Sequence, residues 1–378
     1  MILPPLSLYI HIPWCVRKCP YCDFNSHRSD TELPEESYVQ QLLLDLQADL
    51  DQGALQGRVL TSIFFGGGTP SLFSPQAIGD ILSGVEEELP FASDIEITLE
   101  ANPGTVDQDR FQGFYHAGVN RLSIGVQSFN DEQLQSLGRI HRGGEAKRAI
   151  EAARLAGFDN INLDLMHGLP GQSLELALTD LRSALEFQPE HLSWYQLTIE
   201  TNTEFYRHPP VLPEDEILWA IQEQGQQLLA DQGFEQYEVS AYSRKGRQAQ
   251  HNLNYWTFGD YLGIGAGAHG KWTDMKNQAV VRSQKTRLPK DFLSRINKGK
   301  YQQVSADELT FEFLMNALRL KSGVAQEVFV QRTGLPWSTL EKVWQPLVAK
   351  KLVHADRIQT TDAGYLFLNQ VLEPFIED

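Results

Sequence analysis

The sequence predicts an α/β fold: a (βα)6-type partial TIM barrel followed by a small, mainly helical domain of winged-helix-like type. Three features of the chain predict it. Six short β-rich runs each end in Gly, Pro or polar residues, amphipathic helical patterns lie between them, and the chain from about residue 305 is mostly helical in pattern. Alternating strands and helices favour a parallel sheet with right-handed crossovers, and six such units favour an incomplete barrel over a flat sheet.

The predicted strands follow one another at regular intervals. They are LSLYIHI (6–12), TSIFFGGGTP (61–70), IEITLEANPG (95–104), NRLSIGVQSF (120–129), DNINLDLMHGLP (159–170) and HLSWYQLTIE (191–200). Helical patterns at 36–50, 75–89 and 143–157 connect them. In parallel α/β folds, functional residues gather where strands end. Here those ends carry a cysteine loop and the segments 66–70, 100–104, 125–128 and 164–170.

Three regions are predicted along the chain. Residues 1–210 form the partial barrel, and 211–304 form an extension of it that begins at the Pro-rich connection 209–216. Within the extension, 225–243 is typical of a helix followed by a strand, and 251–270, which contains HNLNYW, is interpreted as a Gly/aromatic loop. Residues 305–378 are predicted to form helices, a two-strand ribbon at LVHADRIQTT (352–361) and a last helix.

Charge and composition exclude several classes of function. The formal net charge of −17 argues against nucleic acid as a main partner. Residues 271–300 nevertheless contain nine Lys or Arg and two Asp, which indicates a solvated basic surface or a patch for an anionic ligand, a lipid headgroup or an acidic partner. No 18-residue apolar run and no basic leader are seen, so we expect neither a membrane span nor a signal peptide. With no disulfide framework either, a cytoplasmic protein is expected.

All three cysteines lie within eight positions, as Cys15, Cys19 and Cys22 in a C-x3-C-x2-C pattern. Thiolates are soft ligands that suit an iron–sulfur cluster or zinc. A zinc site needs a fourth ligand, for which the candidates are His11, Asp23 and His27. Where a further cysteine would follow, the chain has Phe24.

Polar residues at the other strand ends suit a bound ligand. The glycines of GGGTP (66–70) let backbone approach a ligand closely, and Arg139 suits a carboxylate. Glu100, Gln127 and Asp164 add further polar groups. Each has a structural interpretation as a turn, cap or salt bridge, but the ordered set favours a ligand site.

A cysteine motif of this spacing after a strand resembles that of the radical S-adenosylmethionine (SAM) superfamily. The resemblance implies that three cysteines hold a [4Fe–4S] cluster and that the fourth iron is left for SAM, whose cleavage yields a 5′-deoxyadenosyl radical. YIHIPWC, CPYCDF, FFGGGTPS, EANPGT, GVQSF, DLMHGLPGQ and GIGAGAH together resemble the branch of oxygen-independent coproporphyrinogen III oxidase. By that likeness the cluster and SAM site comprises Tyr9, Cys15, Cys19, Cys22, Gly67, Gly68, Thr69, Glu100, Gln127, Arg139 and Asp164.

Two departures separate the chain from the oxidases. They have a further cysteine at the position of Phe24 and a longer segment before the cysteine loop, where only 14 residues precede Cys15. Both departures resemble the HemW-type haem chaperones, a sister group that is described as binding haem and passing it to haem-requiring, often respiratory proteins without oxidase activity. An oxidase that decarboxylates propionates, and a zinc-stabilised barrel that only binds partners, are the alternatives.

The resemblance also implies a haem site. HNLNYW (251–256) matches the family's H-N-x-x-Y-W pattern, which makes His251 the expected axial ligand, with Tyr255 and Trp256 stacked on the macrocycle. His269 is a competing ligand. The basic segment from Lys271 follows closely and is expected to neutralise propionates.

Overall fold

The structure, a computed structural model, describes residues 1–29, 32–53, 55, 57–294 and 299–376. Its first part contains β1 (Leu6–Ile12), β2 (Trp14–Cys15), β3 (His27–Arg28), α1 (Glu35–Gly53), β4 (Leu60–Gly67), α2 (Pro75–Glu88), β5 (Phe91–Ala101), α3 (Gln108–His116), β6 (Arg121–Gln127), α4 (Asp131–Ser136), α5 (Gly143–Leu155), β7 (Ile161–His167), α6 (Leu174–Leu185) and β8 (His191–Gln196). Single 3-10 turns lie at Pro70–Leu72 and Pro103–Thr105.

The remainder of the chain contains shorter elements. They are α7 (Glu204–Arg207), α8 (Asp215–Asp231), β9 (Glu235–Glu238), β10 (Ala241–Ser243), α9 (Gln250–Trp256), β11 (Asp260–Ile264), β12 (His269–Asp274), β13 (Ala279–Gln284), α10 (Pro289–Leu293), β14 (Lys300–Gln303), α11 (Ala306–Ala317), β15 (Val324–Ala325), α12 (Gln326–Thr333), α13 (Ser338–Ala349), β16 (Arg357–Ile358), α14 (Asp362–Leu366), α15 (Leu368–Leu372) and a 3-10 turn at Glu373–Phe375. No helix in the described part of the chain is both long and apolar enough to cross a membrane.

Twelve strands form one sheet in the order β14-β13-β12-β11-β1-β4-β5-β6-β7-β8-β10-β9. The run from β11 to β8 is parallel, and the hairpins at either end are antiparallel. The six predicted strands correspond to β1 and β4 through β8. Because β14 and β9 remain as separate edges of this order, the barrel is incomplete. The predicted partial barrel with a C-terminal helical region is therefore confirmed.

The parallel strands alternate apolar and polar residues, and the polar ones line the lumen of the barrel. On β6, Leu122, Ile124 and Val126 are fully buried in the main core. Between them, Arg121, Ser123, Gly125 and Gln127 line a cavity. Since neighbouring side chains on a strand point to opposite faces, one strand packs against helices and supplies polar groups to the lumen. The lumen of this barrel is thus built to hold a polar ligand.

The interpretation of HNLNYW as part of a loop is wrong, because Gln250–Trp256 forms α9. Its N-cap residue, Ala249, has no side chain that bonds a free amide. The His251 amide instead donates to the Glu96 carboxylate at 3.2 Å. A hydrogen bond to a residue 155 positions away in the sequence thus caps α9 in place of a local side chain.

The basic segment 271–300 is not a uniform solvated surface. Residues 271–284 of it belong to the hairpin of β12 and β13, in which Lys271 is 4% exposed. Lys285, just beyond the hairpin, is 2% exposed. Lys276, Arg287 and Lys290 are exposed. The expectation of a solvated surface is therefore wrong for the two buried lysines. Arg295 and Lys298 lie outside the described residues.

The C-terminal helices enclose a second core. Phe313 on α11 is fully buried between Phe258 and Phe329, with ring centroids at 5.3 and 5.2 Å. The core continues through Trp344 on α13, and β15 pairs with β16 in a short antiparallel ribbon. Because Phe258 comes from the chain between α9 and β11, the C-terminal region packs directly on the end of the barrel that α9 occupies.

Candidate functional site

A cavity of about 510 Å³ runs into the barrel from the cysteine loop. Ten of the residues expected at the cluster and SAM site line it: Cys15, Cys19, Cys22, Gly67, Gly68, Thr69, Glu100, Gln127, Arg139 and Asp164. Tyr9 is not part of the described lining, and its hydroxyl lies 3.0 Å from His11 Nδ1. The fold thus gathers the residues expected at the ends of β4, β5, β6 and β7 around one space.

The three cysteines are free thiols, and each sulfur has a polar neighbour. Thr69 Oγ1 donates to Cys15 Sγ at 3.6 Å, Cys22 Sγ lies 3.6 Å from Ser26 Oγ, and Arg139 Nη1 lies 3.8 Å from Cys19 Sγ. Burial raises the pKa of Cys15 and of Cys22. Hydrogen-bond donors at sulfur favour the thiolate form that metal ligation needs.

This arrangement fits an iron–sulfur cluster held by three thiolates. Free soft ligands, donors beside their sulfurs and an adjoining polar cavity are what such a group requires. In the described residues, no three side chains of His, Cys, Asp or Glu are grouped to hold a single metal ion. His11, a candidate zinc ligand, has Nδ1 at 3.0 Å from the Tyr9 hydroxyl and Nε2 at 2.9 Å from the Asn25 carbonyl.

The glycine segment after β4 passes close to the cysteine loop. The Gly68 amide donates to the Ile12 carbonyl at 2.8 Å, and a Cβ on Gly68 would lie 2.5 Å from the Trp14 carbonyl oxygen. Gly67 has a φ of +112° and donates its amide to Glu100 at 3.2 Å. Only glycine fits both positions, so this stretch presents bare backbone to the cavity.

Two carboxyl groups share the cavity. Burial and the charge of Asp164 raise the pKa of Glu100 to about 8. Burial also raises the pKa of Asp164, although it accepts hydrogen bonds from Ser123 at 2.9 Å and Asn162 at 2.7 Å. A cationic ligand would favour the charged form of both acids.

Gln127 and Arg139 are held by neighbours at the top of β6. Gln127 has a φ of +67°, and its Oε1 accepts from the Tyr195 hydroxyl at 2.8 Å. A non-glycine residue in this region carries strain, which proteins retain at ligand sites. Arg139 Nη2 donates to the Gly125 carbonyl at 2.7 Å, while its Nε has no partner in the described residues.

The expected haem ligand His251 is enclosed. It is 1% exposed, its Nδ1 lies 2.9 Å from Ser62 Oγ, and its Nε2 lies 3.0 Å from the Tyr255 hydroxyl. Burial lowers the pKa of His251 to about 3, with a smaller contribution from Arg121. Trp256 lines the cavity, whereas the described lining includes neither His251 nor Tyr255. His269, by contrast, is exposed at the start of β12.

Sequence reasoning missed a second group of cavity residues. They are Asn102, Arg121, Ser123, Asn162, His191, Ser193, Tyr195, Glu238, Asn252 and Arg319. Several carry a detectable signal, because polar residues two apart on otherwise apolar strands mark a polar face. RLSIGVQ and HLSWYQ show that alternation. Glu238, Asn252 and Arg319 carry no such signal, since tertiary packing alone brings them to the barrel.

Two relatives match this chain from end to end. The protein named "Heme chaperone HemW" in Haemophilus influenzae is 52% identical over 100% of this chain and 99% of its own length. The protein of that name in Escherichia coli (strain K12) is 54% identical with the same coverage. The chain belongs to the HemW family.

Family models match two parts of this chain. The model described as the radical SAM superfamily matches residues 9–184, and the HemN C-terminal domain model matches residues 304–367. A mouse protein named "Radical S-adenosyl methionine domain-containing protein 1, mitochondrial" is 37% identical over 86% of this chain and 75% of its own length. Membership of this superfamily supports a [4Fe–4S] cluster and SAM as the cofactors.

The solved coproporphyrinogen III oxidase (HemN) of Escherichia coli, described as a radical SAM enzyme, superposes with a TM-score of 0.81. The match covers 99% of this chain and 90% of that one, at 22% sequence identity. The two proteins therefore share a fold, which includes the C-terminal helices of this chain.

Proposed function

We propose that this chain is a cytoplasmic haem chaperone, which binds haem and delivers it to haem-requiring, respiratory proteins. The observation that carries the proposal is full-length identity of 52% and 54% to two proteins named "Heme chaperone HemW". Phe24, 62% exposed on the cysteine loop, agrees with it, since the oxidases have a further cysteine at that position. Nucleic acid is not a proposed partner.

The proposal assigns the cluster to Cys15, Cys19 and Cys22, whose free thiols line the cavity. When bound, the cluster would supply a Lewis-acidic iron for SAM and an electron. The Gly67 to Thr69 backbone is proposed to receive the ammonium of SAM. Arg139, which has an unpartnered Nε among the described residues, is proposed to pair with the SAM carboxylate.

Tyr9, Glu100, Gln127 and Asp164 complete the proposed SAM site. Asp164 and Glu100 are proposed to accept from the ribose hydroxyls, and Gln127 is aimed into the same space with the help of Tyr195. Tyr9 is proposed to act indirectly, because its hydroxyl contacts His11 and a Cβ on Gly66 would lie 3.0 Å from its ring.

His251, the haem ligand proposed from HNLNYW, can bind iron only after a change in the structure. Both ring nitrogens of His251 are already engaged, so ligation of iron requires α9 to move away from Ser62 and to free one of them. Tyr255 and Trp256 would then be available for stacking. His269 needs no such movement, since it is exposed and its ring makes no hydrogen bond within the described residues. Partial burial, together with Arg282 and Arg287, lowers the pKa of His269 and favours its neutral, ligating form.

Haem titration of the reconstituted protein tests the proposal. We expect a Soret shift on haem binding and its loss in His251→Ala. The shift should be retained in His269→Ala and in the control His208→Ala, whose side chain follows the last residue of α7 and is 78% exposed. Hydrogen exchange in 250–256 should rise with haem, because α9 must open. Loss of the shift in His269→Ala instead would assign iron to His269 and refute His251. Absence of haem binding by the unaltered protein would refute the chaperone function.

The oxidase alternative has its own assay. With a reductant and SAM supplied, we expect no formation of protoporphyrinogen from coproporphyrinogen. Product formation that is lost when Cys19 is replaced would establish an oxidase function in place of the chaperone function.

The exposed cations of 271–300 are proposed to contact an anionic membrane surface. The described residues that support this are Lys276, Arg287, Lys290 and Lys300, all exposed. Salt-sensitive sedimentation with vesicles that contain phosphatidylserine is expected. Equal sedimentation with neutral vesicles would contradict it.

A further inference from the structure

The cavity continues below the proposed SAM residues to a floor with its own chemistry. We define the floor as Arg121, Glu238, Ser240, Asn252, Trp256 and Arg319, all of which line the cavity. Arg121 begins β6 and Gln127 ends it. Six residue steps along a strand span about 20 Å, so a group bound at the floor is separate from one bound beside Gln127.

The guanidinium of Arg121 has few protein partners. Its side chain is 2% exposed, and its one ion pair in the described residues joins Nε to Glu96 at 3.6 Å. Charge-assisted hydrogen bonds are shorter, about 2.7–2.9 Å. Arg121 Nε has no hydrogen-bond partner in the described part of the chain. Because buried polar groups are nearly always hydrogen-bonded, an arginine in this state facing a cavity indicates a ligand.

Two other residues of the floor also have buried hydrogen-bond donors without a partner. Trp256 Nε1 and Arg319 Nε are buried and lack hydrogen-bond partners among the described residues. The Arg319 guanidinium lies over the Trp256 ring at 4.4 Å, and its Nη2 donates to Glu238 at 2.9 Å. Donors without acceptors therefore come from β6, from α9 and from the C-terminal region.

The charges of the floor select the class of ligand. Arg121 and Arg319 face Glu96 and Glu238, which partly balance them. A dianionic phosphate would be repelled by these carboxylates. A single carboxylate carries one charge and is planar, so it matches the two parallel donors of a guanidinium. The geometry points to the floor as a binding subsite for one carboxylate, held by Arg121 with Trp256 and Arg319.

Two sources offer this chemistry: a propionate of haem or a small free carboxylic acid. The first rests on the proposed function, and the second does not. The first variant is Arg121→Met. The second combines Arg121→Met with Glu96→Gln, so that no carboxylate is left without its partner. It keeps the test usable if the single variant fails to fold. Arg58→Met is the control, because Arg58 also pairs with a buried carboxylate, that of Asp260 at 2.6 Å, but does not line the cavity.

The first arm compares haem with its dimethyl ester, in which both propionates are blocked. The unaltered protein and Arg58→Met should bind haem about 10-fold to 100-fold more tightly than the ester, and both Arg121 variants should lose that preference. The second arm measures radiolabelled butyrate, a monocarboxylate, by equilibrium dialysis. Butyrate binding that Arg121→Met abolishes would establish the subsite for small acids, even if the protein binds no haem. The same haem preference and the same butyrate retention in all variants would overturn the subsite.

Discussion

At the scale of single residues, Glu100 has the clearest dependence on pH. Burial and the Asp164 charge raise its pKa to about 8, from an ordinary value of 4.5. A carboxyl group whose pKa is higher in the folded chain stabilises the fold fully below the unfolded pKa. That contribution is lost as the pH rises toward the folded pKa. The fold is therefore more stable when Glu100 is protonated. A charged Glu100 in an empty cavity lowers the free energy of unfolding.

Replacing Glu100 by Gln should remove this cost. Relative to the unaltered protein, the free energy of unfolding of Glu100→Gln should rise by about 2–3 kcal/mol between pH 6 and pH 8.5. Urea unfolding of SAM-free protein at both pH values measures it. Glu87→Gln, at an exposed position of α2, is the control and should show no such rise. An equal difference at both pH values for Glu100→Gln would contradict the argument.

The sequence predicted the residues whose chemistry is carried by short motifs. The three thiols, the glycines after β4 and the acids at strand ends come from segments that each lie next to a predicted strand, so their meeting at one edge follows from a parallel sheet. Arg121 was missed because an arginine at the start of a strand is usually a surface residue. Its burial depends on Glu96, which pairs with it and also accepts from the His251 amide of α9.

At the scale of elements, α1 is held to the sheet by buried charges. Lys285, just beyond β13, lies 2.7 Å from Asp45 and 2.6 Å from Asp49 on α1, and its side chain is fully buried. Asp49 also accepts from the Tyr301 hydroxyl at 2.9 Å, and Asp45 accepts from the Gly265 amide at 3.0 Å. One ion cluster thus ties the first long helix to strands more than 200 residues later.

Lys285→Met should destabilise the fold by about 3–5 kcal/mol, because it leaves two buried carboxylates without a cation. Chemical denaturation measures the loss. Lys276→Met in the turn of the same hairpin is exposed and should change the free energy of unfolding by less than about 0.5 kcal/mol. Adding Asp45→Asn and Asp49→Asn to Lys285→Met should recover most of the stability. No recovery would mean that packing of the lysine stem, and not charge, holds α1.

Element prediction succeeded where helices are long and amphipathic, as in α1, α2 and α5. It failed at α9, which has seven residues and no capping side chain of its own. A helix this short is marginal alone, and Glu96, Ser62 and Phe64 from neighbouring strands stabilise it. Phe64 stacks on His251 with ring centroids 5.2 Å apart. A local sequence pattern cannot indicate partners that lie so far away in the chain.

At the scale of the whole molecule, the C-terminal region and the barrel share packing. Arg319 reaches the cavity and pairs with Glu238, and the backbone of Lys321 donates to the Tyr237 carbonyl at 3.0 Å. Phe313 packs on Phe258, which follows α9 directly. Loss of packing in the C-terminal core is therefore expected to disturb the residues at the floor of the cavity.

Phe313→Ala should lower the free energy of unfolding by about 3–5 kcal/mol through the cavity that it leaves. Tryptophan fluorescence and circular dichroism should follow one coincident transition if the two regions unfold together. Phe367→Ala, at a side chain that is 52% exposed, is the control and should have little effect. Two separate transitions in the unaltered protein would show that the C-terminal region folds independently.

The position of β1 inside the sheet has a consequence for biosynthesis. β1 pairs with β4 on one side and with β11 on the other, so that Leu6 lies opposite Asp260. Asn25 in the cysteine loop donates to the carbonyls of Ala266 and Arg287, both at 2.9 Å. The thiols therefore leave the ribosome long before the residues that fix their loop. We expect loading with iron and sulfide to follow translation, and a nascent chain shorter than about residue 287 to expose its thiols.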